Sequence, residues 1–154
     1  MLIYGIKGRA MNEVDETNYD LHSEKIYIEL GKIGDSAIIL KLSNKSEVDR
    51  LVYSYNLSKK PRNGDKVTLS HDGSATFSRM SGRKSLSLGV PIGINSARAD
   101  DLDELPGIGP KLAEKIIDYR RNLRSGFNSI DELYNVDGIG QKKLEAIRPH
   151  ISLD

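Results

Sequence analysis

The feature that most limits what this chain can fold into is an internal repeat near its C-terminus. LPGIG at Leu105–Gly109 returns as VDGIG at Val136–Gly140, and the same shift of 31 aligns Asp101 with Glu132, Leu102 with Leu133, Lys111 with Lys142, Glu114 with Glu145 and Ile116 with Ile147. In each copy a short acidic amphipathic segment runs into Gly-Ile-Gly and then into a second amphipathic segment. Helices this short are not stable singly in water, so the two copies must share one core. The repeat therefore predicts two packed helical hairpins, an all-α unit spanning 94–154.

The turn residues say how each hairpin is built. Pro106 stops the first helix, Gly107 and Gly109 allow backbone angles and close approaches that a β-carbon would block, and Pro110 suits the first position of the next helix. Ile108 is expected to turn inward. Leu112, Ile116 and Tyr119 form one apolar stripe with Ala113 and Ile117 beside it. In the second copy Ser129 and Glu132 read as a capping box, Leu133 and Val136 as a buried pair, and Phe127 and Tyr134 as filling between the hairpins.

Where Gly-Ile-Gly meets the following helix, unpaired N–H groups point outward and the helix dipole favours an anion. That is the chemistry of a phosphate site. Lys111, and Lys142 with Lys143, follow the turns directly, where an ammonium reinforces a phosphate already held by backbone. One such turn would be equally well explained as a tight connection. Two on one compact unit suit a polyanion of fixed spacing better than a lone nucleotide.

Upstream, residues 1–84 read as a small α+β domain. Ile26, Ile28 and Leu30 alternate with polar residues, GKIGD makes a turn, and AIILKL at 37–42 completes a hairpin. Ser46 with Asp49 reads as a helix start, followed by Val48, Leu51, Val52 and Tyr55 at helical spacing. Tyr53 and Tyr55 are expected to pack in the core. Strands at 66–70 and 74–78 follow, separated by His71-Asp72-Gly73, which gives the order β-β-α-β-β, with Leu2–Gly8 as a candidate edge strand. Residues 85–93 read as a linker.

Composition narrows the function classes. Lys and Arg number 23 against 22 Asp and Glu, so the chain is no simple polycation. Residues 91–154 carry nine basic against eleven acidic side chains, whereas 59–84 carry seven basic residues against Asp65 and Asp72. The positive field is thus expected mid-chain. The absence of cysteine removes disulfides, thiolate metal sites and cysteine nucleophiles.

His22, His71 and His150 lack metal-ligand spacing, and no Ser/His/Asp grouping, phosphate-binding P-loop or paired-carboxylate pattern occurs. No enzyme activity, cofactor or metal is expected. Asp100, Asp101, Asp103 and Glu104 spread around a helix axis, which suits a solvated face. The first eleven residues are apolar only up to Ile6, too short for a membrane span or signal core. The chain as given reads as soluble, and as extracytoplasmic if a leader or anchor has been removed.

INSARADDLDELPGIGPKLAEKIIDYRR and GFNSIDELYNVDGIGQKKLEAIRPHI resemble the tandem helix-hairpin-helix domain of the ComEA competence family. That resemblance covers residues 94–151. It implies binding of double-stranded DNA without sequence preference, through Gly107, Ile108, Gly109 and Lys111, then Gly138, Ile139, Gly140, Lys142 and Lys143, with a role in DNA uptake. This sequence departs from the family pattern at Arg98, where a small hydroxyl residue is common, and at Asp137, whose carboxylate would weaken the second phosphate site.

The N-terminal part resembles the β-grasp ligand-binding modules of bacterial export and competence proteins, with Ile33-Gly34 where those modules usually carry Pro-Gly. Another α+β unit is the alternative. The rival functional reading is an interaction or scaffold module in a bacterial envelope assembly, meeting competence or secretion proteins through the N-terminal domain without direct DNA contact.

Overall fold

The computed structural model describes residues 25–154. The expected edge strand at Leu2–Gly8 and His22 lie outside the described residues. Within them the fold is α+β, with two apolar cores.

The first core sits under a four-stranded sheet. β1 (Ile26–Lys32) and β2 (Ile38–Leu42) form the expected hairpin, α1 (Lys45–Ser54) crosses over, and β3 (Asp65–Leu69) and β4 (Ala75–Arg79) form a second hairpin. The sheet order is β2-β1-β3-β4, with β1 and β3 parallel and both hairpins antiparallel. α1 contributes Leu51 to a cluster with Ile28, Leu30, Leu57, Val67 and Leu69.

Alternation along β1 puts Glu29 on the opposite face from Ile28 and Leu30. Glu29 is nonetheless buried and is held by Lys84 at 2.9 Å and Lys66 at 3.6 Å. Buried carboxylates require such partners.

Three local expectations change. The cap of α1 lies two residues earlier than Ser46. Asn44 is its cap, with Oδ1 accepting the Glu47 amide at 2.9 Å, while the Glu47 carboxylate accepts the Ser43 amide at 2.8 Å. Asparagine offers a better-placed acceptor here than the serine inside the first turn. Tyr53 and Tyr55 are exposed, at 90% and 39%, because the helix buries only Val48 and Leu51.

The stretch 85–93, expected as a linker, is instead structured. α2 (Gly82–Ser87) enters it, and Val90, Ile92 and Ile94 are all buried. Ile92 lies in β5 (Ile92–Gly93), which pairs in parallel with β6 (Ile151–Ser152) and so ties the start of the helical unit to its end. The period-two run Val90, Ile92, Ile94 was the signal that a Gly/Ser-rich composition obscured.

The second core belongs to the repeat. It gathers Ile92, Ile94, Leu102, Leu105, Ile108, Ala113, Ile116, Phe127, Leu133, Val136, Ile139, Leu144, Ile147 and Ile151. The helices are α3 (Ala99–Asp103), α4 (Pro110–Asn122), a 3-10 helix at Ile130–Asn135 and α5 (Gln141–Ile147). Phe127 stacks on Tyr119 with ring centroids 5.8 Å apart, whereas Tyr134 stays 58% exposed and fills nothing.

Long-range hydrogen bonds lock this core. Asn95 accepts from the Phe127 amide at 2.8 Å and donates to the Phe127 carbonyl at 3.0 Å. Arg120 donates to the carbonyls of Ile94 and Ala97 at 2.7 and 2.9 Å. Burial pulls the Arg120 guanidinium below its ordinary pKa, partly offset by Asp154.

Asp101 joins the helical unit to α2. Its carboxylate accepts the Gly82 amide at 2.7 Å and the Arg98 amide at 3.2 Å. It is therefore a buried acceptor rather than part of a solvated face. Arg98 has no side-chain acceptor to return the bond, so only one half of a capping box forms at α3.

Candidate nucleic-acid interface

The two Gly-Ile-Gly turns are built alike. In the first, the Ile108 amide donates to the Leu105 carbonyl at 3.1 Å; in the second, the Ile139 amide donates to the Val136 carbonyl at 3.0 Å. Gly107 and Gly138, third in each turn, have φ of +73° and +97°. A positive φ there is what a type II turn demands, and it selects glycine. Pro106 and Asp137 occupy the second position, and both are exposed.

From residue 105 to 116 the pattern of burial is reproduced position for position at 136–147. Ile108 and Ile139, each 4% exposed, anchor the turns in the shared core.

Gly109 and Gly140 need a different explanation. Each caps the helix that follows, with φ of −108° and −95° in the extended range open to any residue. A β-carbon placed on either would meet nothing within 4 Å. Ser, Asp or Asn would cap both helices better than glycine does. The fold thus leaves bare backbone at two equivalent surface points without needing it there.

Around them, among the described residues, the amides of Gly109 and Lys111, and of Gly140, Gln141 and Lys142, donate to no backbone acceptor. The first amides bonded within the helices belong to Leu112 and Lys143.

The hairpins face each other across an approximate two-fold axis. A β-carbon on Gly107 would lie 4.0 Å from Lys143 Cγ, and one on Gly138 would lie 3.2 Å from Leu112 Cδ1. Leu112 and Lys143 are themselves equivalent under the shift of 31, so each turn rests beside the other copy's second helix.

Charges around the turns are unequal. Lys111 and Lys142 are exposed and form no ion pair among the described residues. Lys143 is half-buried and donates to the Gly138 carbonyl at 3.1 Å. Lys115, one turn into α4, meets Asp137 of the second turn. That hydrogen bond, and the charge behind it, hold the Asp137 carboxyl below its ordinary pKa.

The charge expected of 59–84 is largely spoken for. Lys60 pairs with Asp49, Lys66 and Lys84 with Glu29, Arg79 with Asp65 and Arg83 with Glu104, while Lys59 lies over the Phe77 ring. Paired cations project a weaker field than the sequence count suggests. Among the described residues no cluster of His, Asp and Glu could hold a metal ion, and no helix is long and apolar enough to cross a membrane.

The helix-hairpin-helix motif family matches residues 88–152, the segment that contains both turns and both closing strands. ComE operon protein 1 of Bacillus subtilis (strain 168) is 30% identical over 93 residues, covering 60% of this chain and 42% of that protein. Residues 88–152 form a helix-hairpin-helix domain.

The 93 aligned residues exceed the length of that domain, so the likeness to the Bacillus protein continues upstream of residue 88. The chain has other relatives. Endonuclease/exonuclease/phosphatase family domain-containing protein 1 is 38% identical over 60 residues in Danio rerio and 35% over 57 residues in Homo sapiens. Those matches cover 39% and 37% of this chain but only 11% and 10% of the relatives. The chain thus spans well under half the length of each of these relatives.

Proposed function

We propose that this protein binds double-stranded DNA without sequence preference and without catalysis, by holding phosphates at its two Gly-Ile-Gly turns. The observation that carries the reading is the pair of bare caps, Gly109 and Gly140, which neither backbone angle nor packing requires to be glycine. Missing β-carbons at equivalent points serve something that arrives from outside and must approach the backbone closely.

The free amides at Gly109, Lys111, Gly140 and Lys142 supply the bonds, and the Lys111 and Lys142 ammoniums add point charge. Gly107 and Gly138 form the turns. Ile108 and Ile139 position them, since their own amides are already used within the turns. Lys143, tied to the Gly138 carbonyl, supports the second turn. None of these groups reads base edges, so sequence preference should be slight. The likeness to ComE operon protein 1 supports a place in competence and DNA uptake.

The test is a salt titration with two duplexes of unrelated sequence. Affinities of ~10⁻⁴ to 10⁻⁶ M at physiological salt are expected, equal for the two duplexes. About three to five phosphate contacts would give a log–log salt slope of roughly −3 to −4.5. Affinity that ignores salt, or strong preference for one duplex, would refute the proposal. Amide shifts on adding DNA that stay within residues 25–60 would favour the interaction-module reading instead.

A further inference from the structure

We infer that Lys115, on the first hairpin's long helix, is a positioning residue of the second hairpin's phosphate grip, acting by cancelling the carboxylate of Asp137. The inference rests on the DNA-binding reading above. Its starting point is where the two copies differ: the second turn carries Asp137 where the first carries Pro106, and the last helix carries Ala146 where α4 carries Lys115. These two departures, one acidic and one basic, meet in space, with Lys115 Nζ 2.5 Å from Asp137 Oδ2.

Asp137 sits beside Gly138, and its side chain is 91% exposed. Unpaired, it would place a negative charge on the turn that precedes the free amides of Gly140, Gln141 and Lys142. The nearer lysines do not do this work. Lys143 is engaged with the Gly138 carbonyl, and Lys142 pairs with no acid among the described residues. The neutralising cation therefore comes from the other hairpin, across the approximate two-fold axis.

Because both side chains are solvated, the pair adds little to folding. Its consequence is for the ligand: the second grip is complete only when the first hairpin is docked against it.

The experiment compares duplex binding by fluorescence anisotropy for the full chain and for Lys115→Gln, Lys115→Arg, Asp137→Asn and the double variant Lys115→Gln/Asp137→Asn. Lys115→Gln should weaken binding about three- to tenfold, from one uncompensated like charge near a phosphate. Lys115→Arg should bind like the parent. Asp137→Asn should bind as well as the parent or better, and the double variant should stay within about twofold of Asp137→Asn.

If Lys115→Gln costs as much in the Asp137→Asn background as alone, Lys115 contacts DNA independently and the inference is wrong. It is equally wrong if Lys115→Gln has no effect while the parent binds. Melting temperatures of all four variants should match the parent, so a drop in Lys115→Gln that accounts for its lost binding would also overturn it. Failure of the parent chain to bind any duplex would instead remove the reading beneath it, and the inference with it.

Discussion

Replacing both bare caps, Gly109→Asn together with Gly140→Asn, should separate stability from binding by moving them in opposite directions. Both positions have extended backbone and open space around the new β-carbon, so neither strain nor clash is introduced. Asparagine is a stronger N-cap than glycine by a few tenths of a kcal/mol, so the pair should stabilise the fold by about 0.5–1 kcal/mol. In a chain of this size that raises the melting temperature by about 1–4 °C.

Binding should collapse, because each new side chain covers the amides a phosphate would use. Hydrogen bonds to a charged group contribute about 1.5–3 kcal/mol each, so losing one per turn costs about 3–6 kcal/mol, more than a hundredfold in affinity. Circular dichroism melting and anisotropy with one labelled duplex measure the two effects on the same samples. Binding within threefold of the parent in a folded variant would refute the backbone-grip argument. A destabilisation above about 2 kcal/mol would refute the claim that the fold does not need these glycines. Gly107→Val with Gly138→Val is the contrasting control: positive φ at both sites should cost about 1–3 kcal/mol each, so the turns themselves are lost.

Two further outcomes follow from side chains outside the turns. Asp101→Ala leaves the buried Gly82 amide without its acceptor and should destabilise the chain by about 1–3 kcal/mol in urea unfolding; a change below about 0.5 kcal/mol would show that α2 is not held through this carboxylate. Asp137 should titrate, by carboxyl NMR shift, below its ordinary value of 3.8, and Lys115→Gln should move the midpoint upward. Since the folded value is depressed, the pair's contribution is present above the ordinary value and is lost only as pH falls through the lowered one. Between pH 5 and 8 it is constant, and a midpoint that does not respond to Lys115→Gln would contradict the pairing.

Much of the helical unit was legible because its signals are local. A positive-φ glycine in a turn, a proline opening a helix and an isoleucine fixed between two glycines constrain only their neighbours, and both copies state all but the proline, which is Gln141 in the second. The element order β-β-α-β-β was readable for the same reason, through alternation and turn residues, while the exact start of α1 was not, because Asn44 and Ser46 are both good caps two residues apart.

The sequence alone determined that two hairpins would form, that Ile108 would be buried and that open amides would follow each turn. Only the tertiary structure decided that 85–93 is part of the folded body, that Asp101 is a buried acceptor, that most of the basic side chains of 59–84 are already paired and that Lys115 answers Asp137. Each of these joins residues far apart in the chain, and such pairings depend on how elements dock, which composition and periodicity do not encode. The glycines divide along the same line: backbone angle accounts for Gly107 and Gly138, whereas it took the empty space around Gly109 and Gly140 to show that nothing inside the protein asks for them.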